Sequence, residues 1–155
     1  MSWRATINQP LHRLSMNVLI RTPEGEQFFQ ERVRSVDVFS QLGAMRLLPG
    51  HASLQGTILF SPVRIETETA VEQFAVQQGF VLVDQEKDEV TFLVYRAEKR
   101  SELNYETAQQ YLEHVMQALK NNESLSEYEL KFLTDERLAT QERITFLEKK
   151  TDESS

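Results

Sequence analysis

Three histidines, His12, His51 and His114, are the first residues to weigh for metal or proton chemistry, and they lie far apart in the chain. None has a second histidine or a carboxylate at a recognised ligand spacing, so the pattern does not describe a zinc site. His51 sits between Gly50 and Ala52 in a turn-rich stretch, where an imidazole serves either the local backbone or a direct partner contact. The absence of cysteine removes disulfides, thiolate metal sites, iron–sulfur clusters and a cysteine nucleophile. Carboxylates are abundant, but the densest runs, Asp84 to Glu89 and Glu66 to Glu72, read as solvated hairpin tips. Ser35, Ser40 and Ser53 stand in no neighbourhood that would activate a hydroxyl. No glycine-rich phosphate loop, nucleophile elbow or nucleotide fingerprint is present. These residues predict no catalytic group, no bound cofactor and no metal.

Charge narrows the partners. The 155 residues carry 17 Lys and Arg against 24 Asp and Glu, a net charge of −7. Phosphate neutralisation needs a basic surface, so a nucleic-acid partner is not expected. No apolar run approaches the roughly 18 residues that cross a bilayer, and Met1-Ser2-Trp3-Arg4-Ala5-Thr6 has no apolar stretch of the signal-peptide kind. The expectation is a soluble, intracellular chain that meets any membrane only through a complex.

The elements that must position these residues change character near Ala97. Before it, apolar residues come in short runs: Val18-Leu19-Ile20, Val33 with Val36 and Val38, Ile58 with Phe60, Val63 with Ile65, Phe80 with Leu82, and Val90 to Tyr95. Many short β-branched and aromatic runs, with Gly and Pro between them, predict an antiparallel sandwich or flattened barrel. All five glycines lie in this part. After Ala97 there is neither Gly nor Pro, and the period lengthens to that of a helix. Tyr105, Ala108, Leu112, Val115 and Leu119 form one stripe; Leu130, Leu133, Ile144 and Leu147 form a second, flanked by Leu138 and Phe146. Ser126 three residues ahead of Glu129 fits an N-capping box. The reading is therefore an arm over 1–15, a β-sandwich over 16–97, an antiparallel two-helix hairpin over 98–150 and a frayed tail over 151–155.

One ordered set of motifs is more specific. Thr22-Pro23-Glu24-Gly25 is followed by Leu42-Gly43-Ala44-Met45-Arg46-Leu47-Leu48-Pro49-Gly50-His51-Ala52-Ser53-Leu54, then by Val63-Arg64-Ile65 and Gln77-Gln78-Gly79-Phe80. From about Met16 to Ala97 this resembles the N-terminal domain of the F-type ATP synthase epsilon subunit (delta in mitochondrial naming). The resemblance implies a β-sandwich followed by a helical hairpin. It also implies a non-catalytic rotor part, peripheral on the cytoplasmic side of the inner membrane, of a proton- or sodium-translocating complex. Its partners would be the gamma subunit, the c ring and, through the hairpin, the alpha and beta subunits. Partner contacts would then fall on Gly43, Arg46, Pro49, Gly50 and His51, in one loop from Gly43 to His51. In many members the hairpin extends along gamma and restrains ATP hydrolysis through basic side chains, for which Lys131, Arg137 and Arg143 are the positions here.

The chain departs from that pattern at several points. Ala44 and Arg46 replace an acidic residue and a glycine, Gln78 replaces the first glycine of a Gly-Gly pair, and Pro62 stands where glycine is usual. Leu103-Asn104-Tyr105-Glu106-Thr107-Ala108 lacks the Asp and Arg of the ATP-binding pattern that some members carry, so no nucleotide site is expected. A diverged member fits these departures, and a stand-alone interaction module that has left the rotor is the alternative.

Overall fold

The computed structural model describes residues 15–121 and 124–153. The arm expected over 1–15 falls outside the described residues except for Ser15. Six strands come first: β1 (Met16–Thr22), β2 (Gly25–Ser40), β3 (Gly43–Leu47), β4 (Leu54–Thr67), β5 (Val71–Asp84) and β6 (Glu89–Lys99). A 3-10 turn at Arg100–Glu102 leads into two helices, α1 (Tyr105–Lys120) and α2 (Glu127–Glu153). The chain divides into two compact units between Glu98 and Lys99.

In the first unit the strands are hydrogen-bonded in the order β1-β6-β5-β4-β2-β3, and β1 pairs with β2 as well. The extra pairing closes five strands into a flattened ring and leaves β3 beside β2 as its outer neighbour. The 16-residue β2 makes this possible. Its first half pairs with β1 and its second half with both β3 and β4. The change occurs at Val33, which is opposite Met16 on β1 and Thr67 on β4. Both ladders shift register there, and Arg32 takes a left-handed φ of 58°. A bulge of this kind bends a strand enough to pass between layers.

Alternation then sorts the side chains. Val18, Ile20, Val36, Ile58, Ile65, Val76, Val81, Val90 and Phe92 are among those that fill the core. One pairing differs from the antiparallel expectation: β1 and β6 run parallel. Neighbouring strands joined by a hairpin are necessarily antiparallel. The β1–β6 seam joins the first strand to the last, so its sense comes from closing the ring and no local turn encodes it.

The β5–β6 approach is the tightest in the unit. A Cβ added at Gly79 would lie 1.9 Å from the Leu93 carbonyl oxygen, so only glycine fits. The preceding Gln78 has φ 52°, which accounts for the glycine that the family pattern prefers there.

The helical unit is capped as its sequence indicates. Asn104 Oδ1 accepts from the Thr107 N–H at 2.8 Å. Ser126 and Glu129 exchange bonds, with Ser126 N–H donating to Glu129 Oε2 at 2.9 Å and Glu129 N–H to Ser126 Oγ at 3.1 Å. The Tyr105 hydroxyl, at the start of α1, donates to Glu148 near the end of α2, as antiparallel helices require. Of the expected stripes Ala108, Val115, Leu133 and Ile144 are buried, and the buried faces take in further residues. On α1, Thr107, Ala108, Tyr111 and Val115 are buried, while Tyr105 is exposed. On α2, Phe132, Leu133, Glu136, Thr140 and Ile144 are buried, while Leu138 and Phe146 are exposed. Helix α2 also continues through Glu153, three residues into the expected tail, because nothing from Lys149 to Glu153 breaks a helix. Ser154 and Ser155 lie outside the described residues.

Gly79→Ala should lower the urea-unfolding free energy of the chain by about 3 kcal/mol, in the range of overpacked and strained sites. A loss below about 1 kcal/mol would show that β6 moves away without cost.

Candidate functional site

The sequence places five partner-facing residues in one loop, but the structure separates them. Gly43 opens β3 directly after the β2–β3 turn, and Arg46 lies within β3. Arg46 pairs across from Asp37, which is itself opposite Arg64 on β4. Its guanidinium lies 4.0 Å from Glu66 Oε2, and about a third of its side chain is exposed. The result is a cross-strand row of alternating charge in which Asp37 is buried, rather than an arginine on a solvated loop. Pro49, Gly50 and His51 sit beyond the other end of β3. Gly43 is at the far end of the five-residue strand, whereas Arg46 lies one residue from the end that leads into this turn.

The Pro49–His51 turn is closed by the His51 N–H on the Leu48 carbonyl at 3.0 Å. Gly50 takes φ 83°, a conformation open to glycine at little cost. His51 Nδ1 lies 2.9 Å from the Ala52 carbonyl, so the ring serves the local backbone. The β5–β6 turn holds this turn from outside. Asp88 Oδ1 accepts from the Gly50 N–H at 2.9 Å, and Gln85 Nε2 donates to the Gly50 carbonyl at 3.1 Å. Gln85 N–H also donates to Ser53 Oγ at 2.9 Å. The acidic run from Asp84 to Glu89 is therefore more than a solvated tip. No short-range pattern could show this, because its partners lie more than thirty residues away.

A second surface appears on the outward face of the sheet. Opposite the core residues of five strands, Phe29 on β2, Leu19 on β1, Leu93 and Tyr95 on β6, Phe80 on β5 and Leu59 on β4 share one side. Registers place Leu19 beside Phe29 and Thr91, and Phe80 beside Thr57. Leu59 is 78% exposed and Tyr95 68%, with Phe29, Phe80 and Leu93 near 40% or above. Scattered single apolar residues need no explanation, but a row that crosses adjacent strands is the form of a docking face.

In the helical unit, Lys131, Arg137 and Arg143 do not form a stripe. Successive steps of six residues rotate them by roughly 120° around the helix, so they point three ways. Lys131 is exposed and Arg137 half-buried. Arg143 donates to the Ser101 carbonyl at 2.8 Å and lies over the Phe146 ring. Sequence reasoning missed the polar centre of this unit. Glu136, 1% exposed, accepts from Arg100 Nη1 at 3.2 Å and from the Tyr111 hydroxyl. Burial and the Glu136 carboxylate hold the Tyr111 hydroxyl well above its ordinary pKa, so it stays a donor. Burial also pushes His114 down to about 4.

Among the described residues no group of three or more His, Asp or Glu is placed to hold a metal ion. No described helix is long and apolar enough to cross a membrane.

These features meet a known family. The family model described as the beta-sandwich domain of the ATP synthase Delta/Epsilon chain matches residues 15–100. The chain belongs to this delta/epsilon family. It is 29% identical over 109 residues to the ATP synthase epsilon chain of Staphylococcus carnosus (strain TM300), covering 70% of this chain and 79% of that one. It is 33% identical over 91 residues to the epsilon chain of Prochlorococcus marinus (strain MIT 9301), covering 59% and 66%. The fold is shared with a chain of the Euglena gracilis mitochondrial ATP synthase cryo-EM structure, OSCP/F1/c-ring in rotational state 1. That likeness has TM-score 0.52 and 19% identity, over 81% of this chain and 76% of that one. Delta/epsilon membership accounts for the sandwich and the order of its motifs; the Arg100–Tyr111–Glu136 centre lies mainly beyond the matched residues.

Tyr111→Phe removes the donor that faces a buried carboxylate and should cost about 1–3 kcal/mol in urea unfolding. A change within error would mean that Arg100 alone satisfies Glu136. For His114 the sign follows from a folded pKa of about 4 against 6.5 unfolded. The unfolded chain binds the proton first, so stability present above pH 6.5 is lost as pH falls toward 4. His114→Gln should flatten that acid limb by about 1.4 kcal/mol per pH unit at most, read from denaturant midpoints at successive pH values.

Proposed function

We propose that this chain is a non-catalytic central-stalk subunit of an F-type ATP synthase. In this reading the exposed apolar sheet face docks on the gamma subunit, and the turn at Pro49, Gly50 and His51 faces the polar loops of the c ring. Gly43 takes part from the far end of β3 and Arg46 from the end nearer the turn. The observation that carries the reading is the row of Phe29, Leu93, Tyr95, Phe80 and Leu59 left uncovered on the strands of a net-negative chain. Apolar area of that kind stabilises a permanent complex when it is buried. Family membership and the names of the epsilon-chain relatives support the same assignment.

The subunit would be peripheral, on the cytoplasmic side of the inner membrane, and would bind neither nucleotide nor metal. Restraint of ATP hydrolysis through alpha and beta would fall to Lys131, Arg137 and Arg143. Arg143 is committed to Ser101 and Phe146 in the packed hairpin, so that role requires α2 to leave its present partners.

The test is co-expression with the gamma subunit of the same organism, followed by size exclusion. The pair should co-elute. Leu93→Asp combined with Tyr95→Asp should weaken the association by about tenfold or more with little change in thermal midpoint, because both side chains face water. Separate elution of two folded proteins at near-physiological salt would favour the stand-alone interaction module instead.

A further inference from the structure

Residues 1–14 precede the described part of the sandwich, and their chemistry differs from the rest of the chain. They contain Arg4, His12 and Arg13 but no carboxylate, and the first acidic side chain in the sequence is Glu24. The chain as a whole carries a net charge of −7. Leu11 and Leu14 flank the His12–Arg13 pair. The point where this segment joins the fold is fixed. Asn17 pairs with Glu89 at the start of β6, and its N–H donates to the Asp88 carbonyl at 2.9 Å. The arm therefore enters β1 at the end of the sandwich where β5 turns into β6.

A trough lies at that same end, across β4, β5 and β6. Leu54, Leu82 and Thr91 line it, together with Asp84, Glu86 and Glu89. Leu54 and Leu82 are half-buried, and Leu82 follows Phe80 on the outward side of β5. No Lys or Arg lines the trough. Among the described residues its three carboxylates make no ion pair. Asp84 accepts from the Lys87 N–H and Glu89 from the Thr91 hydroxyl, each through one oxygen.

We infer that this trough is the seat of the chain's own N-terminal arm, with Arg13 set against Glu86 and Glu89 and Leu11 against Leu82. The reach fits. β6 is the first neighbour of β1 on this side and β5 the second. Neighbouring strands are about 4.8 Å apart and an extended chain advances about 3.3 Å per residue, so Leu11 to Ser15 span the distance to β5. The order fits as well. In an extended segment Leu11 and Arg13 share one side, and Arg13 meets β6 before Leu11 meets β5.

Tethering makes so small a contact sufficient. One leucine and one arginine would not hold a free peptide, but an arm joined at Ser15 is present at an effective concentration on the order of millimolar. Only the few residues within the trough lose conformational freedom. An exposed ion pair adds little affinity, so burial of Leu11 holds the arm and the carboxylates select which segment enters. With the arm seated, Leu82 is covered and the apolar row open to a partner ends at Phe80.

The test uses the full chain, which has no native cysteine, with a nitroxide attached through Gln9→Cys and amide signals read by NMR before and after reduction of the label. The Leu82 and Thr91 amides should lose signal while the nitroxide is oxidised and regain it on reduction. Arg13→Glu brings a further carboxylate to the trough and should abolish that loss. Combining Arg13→Glu with Glu86→Arg and Glu89→Arg should bring it back, and Leu11→Asp should abolish it again. Both arm substitutions leave the strands as they are, so neither result depends on a damaged fold. Unaffected Leu82 and Thr91 signals in the labelled parent would mean a free arm and overturn the inference. Signal loss centred on Leu93 and Tyr95, or on any other surface, would seat the arm elsewhere and overturn it too. Loss that persists in Arg13→Glu would remove the charge match on which the inference stands. An isotope-labelled chain without nitroxide, mixed with a nitroxide-bearing chain, should keep its Leu82 signal; its loss there would make a second copy the occupant and overturn the intramolecular seat.

Discussion

Strand β2 is hydrogen-bonded to three other strands, and the first unit depends on that sharing. A strand has two edges, and β2 uses one for β1 and then β3, and the other for β4. It serves three partners only because the change falls at Arg32 and Val33, where the backbone turns left-handed and both ladders slip. The two slips lie on either side of Val33, so that Phe28 before the bend, Val33 within it and Val36 and Val38 beyond it all reach the core. Closure of the ring, the parallel β1–β6 seam and the placing of β3 follow from this one bend.

The two units are stabilised by different means. The sandwich interior is an apolar cluster running from Met16 to Val94, whose energy comes from area removed from water and from dense packing. The hairpin buries Glu136 and Thr140 in the middle of α2, where an amphipathic helix would ordinarily place leucine. A buried carboxylate with two donors contributes little net stability compared with an apolar residue of the same size, yet breaking it is costly. What it adds is selectivity. Only a register that brings Tyr111 and Arg100 to Glu136 leaves no buried charge unpaired, so the antiparallel pairing is specified by chemistry as well as by shape.

This difference decides what the sequence revealed. Strand positions were legible from alternation and punctuation, and the capping box at Ser126 and Glu129 from its spacing, because the forces involved act over a few residues. The departure at Gln78 was visible as a missing glycine, and its left-handed φ explains why glycine is preferred there. The helix faces were misjudged because the pattern was scored on apolar residues alone. Tyr105 counted toward a stripe, while Glu136 and Thr140, which lie on the buried face of α2, did not. Ties that span more than thirty residues, such as Gly50 to Asp88 and Glu136 to Arg100, leave no local trace. Each end of such a tie looks like an ordinary loop or surface charge until the fold brings the two together. The single loop expected from Gly43 to His51 failed for a related reason: Ala44 to Leu47 lack the long apolar run that marks a strand, and β2 recruits them through its free edge.

The polar seam of the hairpin also bears on how it could move. Separating two helices joined by leucines exposes apolar area with no compensation from water. Separating α1 from α2 exposes a carboxylate, a guanidinium and two hydroxyls among the apolar groups, and water satisfies each of them. Opening would break the Tyr111 and Arg100 contacts to Glu136. The opened form itself suffers less than an all-apolar hairpin would. The sandwich is held differently, by an apolar core and by backbone groups tied across hairpins.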